Sequence, residues 1–67
     1  MLDVVYIGEK LKDLRFRVGL TQQELAGKAG TTQTTIARIE GNRVQPEVTT
    51  IRKLAQALGA TPSDLLD

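Results

Sequence analysis

Two helix starts, two apolar stripes and a turn glycine fall within the twenty residues from Thr21 to Glu40. Thr21 is followed three residues later by Glu24, a capping box in which each residue's side chain accepts from the other's backbone N–H. Leu25, Ala26 and Ala29 continue at helical spacing, so a helix is predicted over 22–29. Gly30 stands where a left-handed terminating residue belongs, a conformation glycine takes without steric cost. Thr32 caps the next segment, and a second helix is predicted over 33–40. Two short helices joined this tightly must cross, and Ala26 is small enough to let their axes approach.

The second helix sorts into two faces when turned by about 100° per residue. Ile36, Ile39, Thr35 and Glu40 share one half of the wheel; Gln33, Thr34, Ala37 and Arg38 share the other. The isoleucines require the core, which turns Gln33, Thr34 and Arg38 outward. Those side chains match base edges: glutamine pairs bidentately with adenine and arginine with the O6 and N7 of guanine. Threonine meets hydroxyl-tolerant edges or a thymine methyl. Ala37 fits a thymine methyl or simply allows close approach. An ordinary amphipathic helix would show a solvated polar face too. The capped helix before it, Ala26 and Gly30 favour a DNA-reading pair.

Composition narrows the classes. The chain has 67 residues, no cysteine and no histidine, so zinc fingers and Cys- or His-based catalysis are excluded. One domain with a small, unstapled core is expected. No apolar run approaches the roughly 18 residues a membrane span needs, and no signal peptide is visible, which points to a soluble, cytoplasmic protein. Net charge is only +1. Between Arg17 and Gln45, however, Arg17, Lys28, Arg38 and Arg43 outnumber Glu24 and Glu40. Such a patch suits moderate, salt-sensitive binding to a polyanion, reinforced by dimerisation.

The remaining chain reads as three further helices and no strand. Helix one is expected from Ile7 or Gly8 to Val18, with Ile7, Leu11, Leu14 and Val18 as its core seam and Gly19 as its stop. Gly41 and Asn42, both tolerant of positive φ, close the reading helix. Pro46 suits the start of helix four, with Val48, Ile51, Leu54, Ala55 and Leu58 facing the core and Gly59 ending it. Helix five opens on Thr61-Pro62-Ser63-Asp64, with cap, proline and box acid in order, and buries Leu65 and Leu66. Residues 1–6 form an extension containing Val4-Val5-Tyr6, which packs along the domain, lengthens helix one or touches a second subunit. Residues 7–67 form the domain. Phe16, about 180° from the seam, should be exposed.

Together these features resemble the Cro/repressor-type helix-turn-helix family, the xenobiotic-response-element-like regulators that include λ and 434 phage repressor domains. The matching residues are Leu14-Arg15, Gly19 to Ala26, Ala29-Gly30, Thr32, Ile36, Ile39-Glu40, Pro46, Leu54-Ala55 and Ala57-Leu58-Gly59. The resemblance implies an all-α, compact five-helix λ-repressor-like DNA-binding domain with its helix-turn-helix at helices two and three. It also implies a partly buried ion pair between Arg15 and Glu40, and a phosphate contact from Gln22. Gln23 shares the amino end of helix two with Gln22, where N–H groups favour an anion. Thr32, Asn42, Arg43 and Arg17 complete the candidate phosphate contacts. Three departures stand out: Gly41-Asn42 reverses the commoner order in which glycine comes second after the glutamate. Glu47 stands where relatives often carry a serine cap, and Ala37 where they carry a polar side chain.

The leading expectation is a sequence-specific regulator of transcription, bacterial or phage-encoded, that binds double-stranded DNA as a homodimer on a near-palindrome. The alternative is a protein-interaction module of the same fold, an antitoxin or co-regulator, using Phe16, residues 4–6 and helix five. An enzyme is disfavoured, and no cofactor, metal, small-molecule ligand or membrane partner is expected.

Overall fold

The computed structural model describes residues 6–66, which form five α-helices and, among those residues, no strand. They are α1 (Gly8–Val18), α2 (Gln22–Ala29), α3 (Gln33–Glu40), α4 (Val48–Ala57) and α5 (Pro62–Leu66). Residues 1–5 of the expected extension lie outside the described residues, and Tyr6 is exposed. None of these helices is long and apolar enough to cross a membrane.

Local chemistry accounts for the helix ends in the motif. The Thr21 hydroxyl accepts from the Glu24 N–H at 3.0 Å while the Glu24 carboxylate accepts from the Thr21 N–H at 2.8 Å, both arms of the box. The Thr32 hydroxyl accepts from the Thr35 N–H at 3.2 Å and caps α3. Gly30 takes a left-handed φ of 70° between the two helices.

Packing then fixes how α3 sits. α2 lies against α3 and α4, α1 against α3 and α5, and α4 against α5. Ile7, Leu11, Leu25, Ile36, Ile39, Leu54 and Leu65 are fully buried where these helices meet, and Ala26 is buried beside them. Burying an isoleucine is worth roughly 1.5–3 kcal/mol, so Ile36 and Ile39 together outweigh the weak propensity of so short a helix.

Several edge expectations are corrected. Val18 has the right angular position for the α1 seam but is half exposed. Val48 is exposed: it lies in the first turn of α4, roughly 70° from the mean direction of Ile51, Leu54, Ala55 and Leu58. Leu66 is half exposed at the end of α5, where only Leu65 turns inward. Pro46 does not begin α4; it precedes Glu47, the N-cap, which makes no side-chain cap hydrogen bond. At α5 only one arm of the box forms. The Asp64 carboxylate accepts from the Thr61 N–H, but the Thr61 hydroxyl pairs with that of Ser63.

Candidate nucleic-acid interface

Gln33, Thr34, Ala37 and Arg38 are all exposed and span an arc of about 140° on α3. Ile36, Ile39 and Glu40, on the other side, are buried, and Thr35 is half-buried. The Thr35 hydroxyl lies 3.0 Å from that of Thr32, so it is held within the cap and away from the outward row.

A buried charge network sets the carboxyl end of this helix. The Arg15 guanidinium donates from Nε to Glu40 Oε2 at 2.6 Å and from Nη2 to Glu40 Oε1 at 2.9 Å, a bidentate fork. Its Nη1 donates to the Leu20 carbonyl at 2.9 Å, and the Leu20 N–H returns a bond to the Arg15 carbonyl at 3.1 Å. One arginine thus joins the end of α1, the junction before α2 and the end of α3. The Phe16 ring lies 4.6 Å from the Arg15 Cζ and shields the fork from that side. The Glu40 hydrogen bond and charge raise the Arg15 pKa above its ordinary value although burial opposes them. Among the described residues no buried side-chain polar atom lacks a partner.

The candidate phosphate residues are less uniform. Gln23, Thr32, Asn42 and Arg43 are exposed. Gln22 is half-buried, and its Nε2 donates to Glu40 Oε1 at 3.1 Å, tying the amino end of α2 to the ion pair. Asn42 holds a φ of 57°, and its Oδ1 accepts from the Gly8 N–H at 3.0 Å, so that its NH2 group is the side-chain donor that remains. Arg17 stands apart: it lines a shallow groove between α1 and α5 with Lys10, Asp13, Leu14 and Asp64, about 200° around α1 from Arg15. The bonds from Gln22 to Glu40 and from Gly8 to Asn42 escaped the sequence reading. They link residues 18 and 34 positions apart, beyond any local pattern.

Because Glu40 is neutralised by Arg15, the segment 17–45 presents Arg17, Lys28, Arg38 and Arg43 against Glu24 alone. Glu24 is held below the usual carboxylate range, first by the backbone N–H of Thr21 and then by the Thr21 side chain.

Comparison with known proteins agrees with this architecture. The model of the helix-turn-helix domain family matches residues 7–67, and the chain belongs to that family. A transcriptional regulator of the helix-turn-helix type from Sinorhizobium fredii, itself uncharacterised, is 37% identical over 60 residues, 90% of this chain and 78% of that protein. Other regulators that it matches are longer, the chain spanning 31% to 46% of several of them. The restriction-modification controller protein C.AhdI from Aeromonas hydrophila superposes with a TM-score of 0.87 at 33% identity, covering 94% of this chain and 96% of that one. The biofilm regulator SinR, solved in complex with DNA, gives 0.87 at 32% identity over 91% of this chain and 98% of its own. The fold is the five-helix, λ-repressor-like one of phage repressor DNA-binding domains. It also recurs within one enzyme chain, as 36% of that chain's length.

Proposed function

We propose that this protein is a sequence-specific regulator of transcription that lays α3 in the major groove of double-stranded DNA. The observation that carries the reading is the outward row of Gln33, Thr34, Ala37 and Arg38 on a helix whose other face and far end are locked into the core. Gln33, Thr34 and Arg38 are assigned to base edges, with Ala37 against a thymine methyl or as a close-approach point. Gln22, Gln23, Thr32 and Arg43 are assigned to backbone phosphates; Gln22 keeps a free amide hydrogen for this purpose. Asn42 has only its NH2 group to offer, and Arg17 would serve as a distant, screened charge.

A homodimer on a near-palindrome is the assembly that suits a surface of this modest charge, with half-sites about 34 Å apart, one turn of the duplex. Placement in the cytoplasm, where duplex DNA is accessible, and a binding role without catalysis belong to the same reading. The absence of His and Cys from the sequence supports the latter. Phe16, one of the surfaces that a protein-interaction module would use, is exposed as expected, and its ring lies against the Arg15 guanidinium, a structural role that needs no partner.

Selection of bound duplexes from a random library tests the proposal. Recovery of a shared motif repeated with two-fold symmetry at one-turn spacing is expected. Recovery of no motif above background would overturn the assignment.

A further inference from the structure

Each of the four longer helices ends with a left-handed residue, followed by an N–H that donates to the carbonyl five residues back. These bonds run from Leu20 to Arg15 (3.1 Å), Thr31 to Ala26 (2.9 Å), Arg43 to Arg38 (2.9 Å) and Ala60 to Ala55 (2.8 Å). After α1, α2 and α4 the left-handed residue is Gly19, Gly30 or Gly59. After α3 it is Asn42, the only non-glycine with positive φ among the described residues. A side chain at any of those three glycines would meet nothing within 4 Å of its first carbon. The Asn42 side chain reaches across the domain to the amino end of α1 instead.

That end of α1 is built to receive it. Ile7, at the N-cap, makes no side-chain cap bond, and the first helical N–H, of Gly8, is taken by Asn42 Oδ1. A Cβ at Gly8 would overlap Asn42 Oδ1 and lie 2.5 Å from the Glu40 carbonyl oxygen and 2.7 Å from that of Ile39. Gly8 is therefore the residue that lets α1 come down onto the turn. The same turn joins Arg38 to Arg43, since the Arg43 N–H is bonded to the Arg38 carbonyl.

We propose that the Gly8–Asn42 hydrogen bond sets the direction in which the turn presents Arg43 to the duplex. Asn42 is then a positioning residue, and the start of α1, which carries no base-reading side chain, belongs to the binding apparatus. This rests on the DNA-binding reading above. An asparagine in left-handed backbone is costlier than the glycine found at the other three ends, and its cross-domain bond is what the asparagine adds.

The test is equilibrium binding of the full chain to a selected and a random duplex across a salt series, for wild type, Asn42→Gly, Arg43→Ala and the double variant. Glycine keeps the left-handed turn and removes the latch. Asn42→Gly is expected to weaken binding to both duplexes about fivefold and to make the salt slope shallower, as loss of one phosphate contact does. In the Arg43→Ala background it should have no further effect. Gly8→Ala, which pushes from the other side, should weaken binding in the same Arg43-dependent way; if it fails to fold, Asn42→Gly still decides. Wild-type affinity for Asn42→Gly well below its melting temperature, even with that temperature lowered, would overturn the latch as a binding device. So would a full loss that persists without Arg43, because Asn42 would then act on its own. Failure of the wild type to bind any duplex would overturn the DNA-binding reading itself, a result distinct from either.

Discussion

The two ends of α3 are held by different kinds of chemistry. At its start, Gly30 and the Thr32 cap act within a few residues of sequence and at the surface. At its finish, Glu40 is buried against Arg15, 25 residues away, and Asn42 is bonded to Gly8. The start decides that a helix begins there; the finish decides where it points. A reading helix needs both, because base contacts demand placement as well as helicity.

The largest effect expected from breaking this contrast is at the finish. Glu40→Ala leaves the Arg15 guanidinium buried with only the Leu20 carbonyl, and should cost about 3–5 kcal/mol. Thr32→Ala removes one exposed cap bond and should cost about 1 kcal/mol. Denaturant unfolding of both variants checks the ratio, and equal losses would erase the distinction. The double variant Arg15→Met/Glu40→Leu sharpens it, since a well-packed apolar pair should restore much of the stability lost in Glu40→Ala. If DNA binding stays impaired in a protein so restabilised, the ion pair serves placement more than energy.

A smaller gain is expected one helix further on. Glu47 begins α4 without a side-chain cap bond, and Glu47→Ser should stabilise the fold by about 0.5–1 kcal/mol in the same unfolding measurement. No gain would mean that the Glu47 carboxylate already supplies what a serine cap would.

The smallest effect concerns acid. Glu24 and Asp64 are both held below their ordinary pKa, chiefly by the backbone N–H groups of Thr21 and Thr61. A carboxylate depressed in the folded state contributes stability that is complete above its unfolded pKa, near 4. That contribution is lost as pH falls through the lower folded value. Thermal melts between about pH 5 and pH 3 should therefore decline, slightly, since both groups are exposed. Glu24→Gln, which keeps a box acceptor without a titrating charge, should flatten part of the decline. An unchanged slope would contradict the Glu24 assignment.

The same division explains what could be read from sequence. The bounds of α2 and α3 and their caps follow from Thr21, Glu24, Gly30 and Thr32, whose partners lie three or four residues away. The outward row of α3 follows from Ile36 and Ile39. The Arg15–Glu40 contact came from a family resemblance, because nothing local pairs residues 25 apart. Asn42 was legible as a residue tolerant of positive φ, while its acceptor role toward Gly8 was not, since it depends on how α1 descends onto the turn. Val18 points along the α1 seam and is exposed all the same, since helical periodicity gives a direction but does not say whether another helix covers the end. Val48 and Leu66 instead lie at the margins of their stripes, where the direction itself turns away from the core.

Binding of Arg38→Ala to a selected duplex, to that duplex changed at single base pairs, and to random sequence tests the central claim most directly. If the outer face of α3 reads bases, the variant should lose about 1–3 kcal/mol of discrimination at one base pair while its affinity for random DNA hardly moves. Equal losses on selected and random duplexes would show that Arg38 contributes only charge, and the assignment of α3 as the reader would fall.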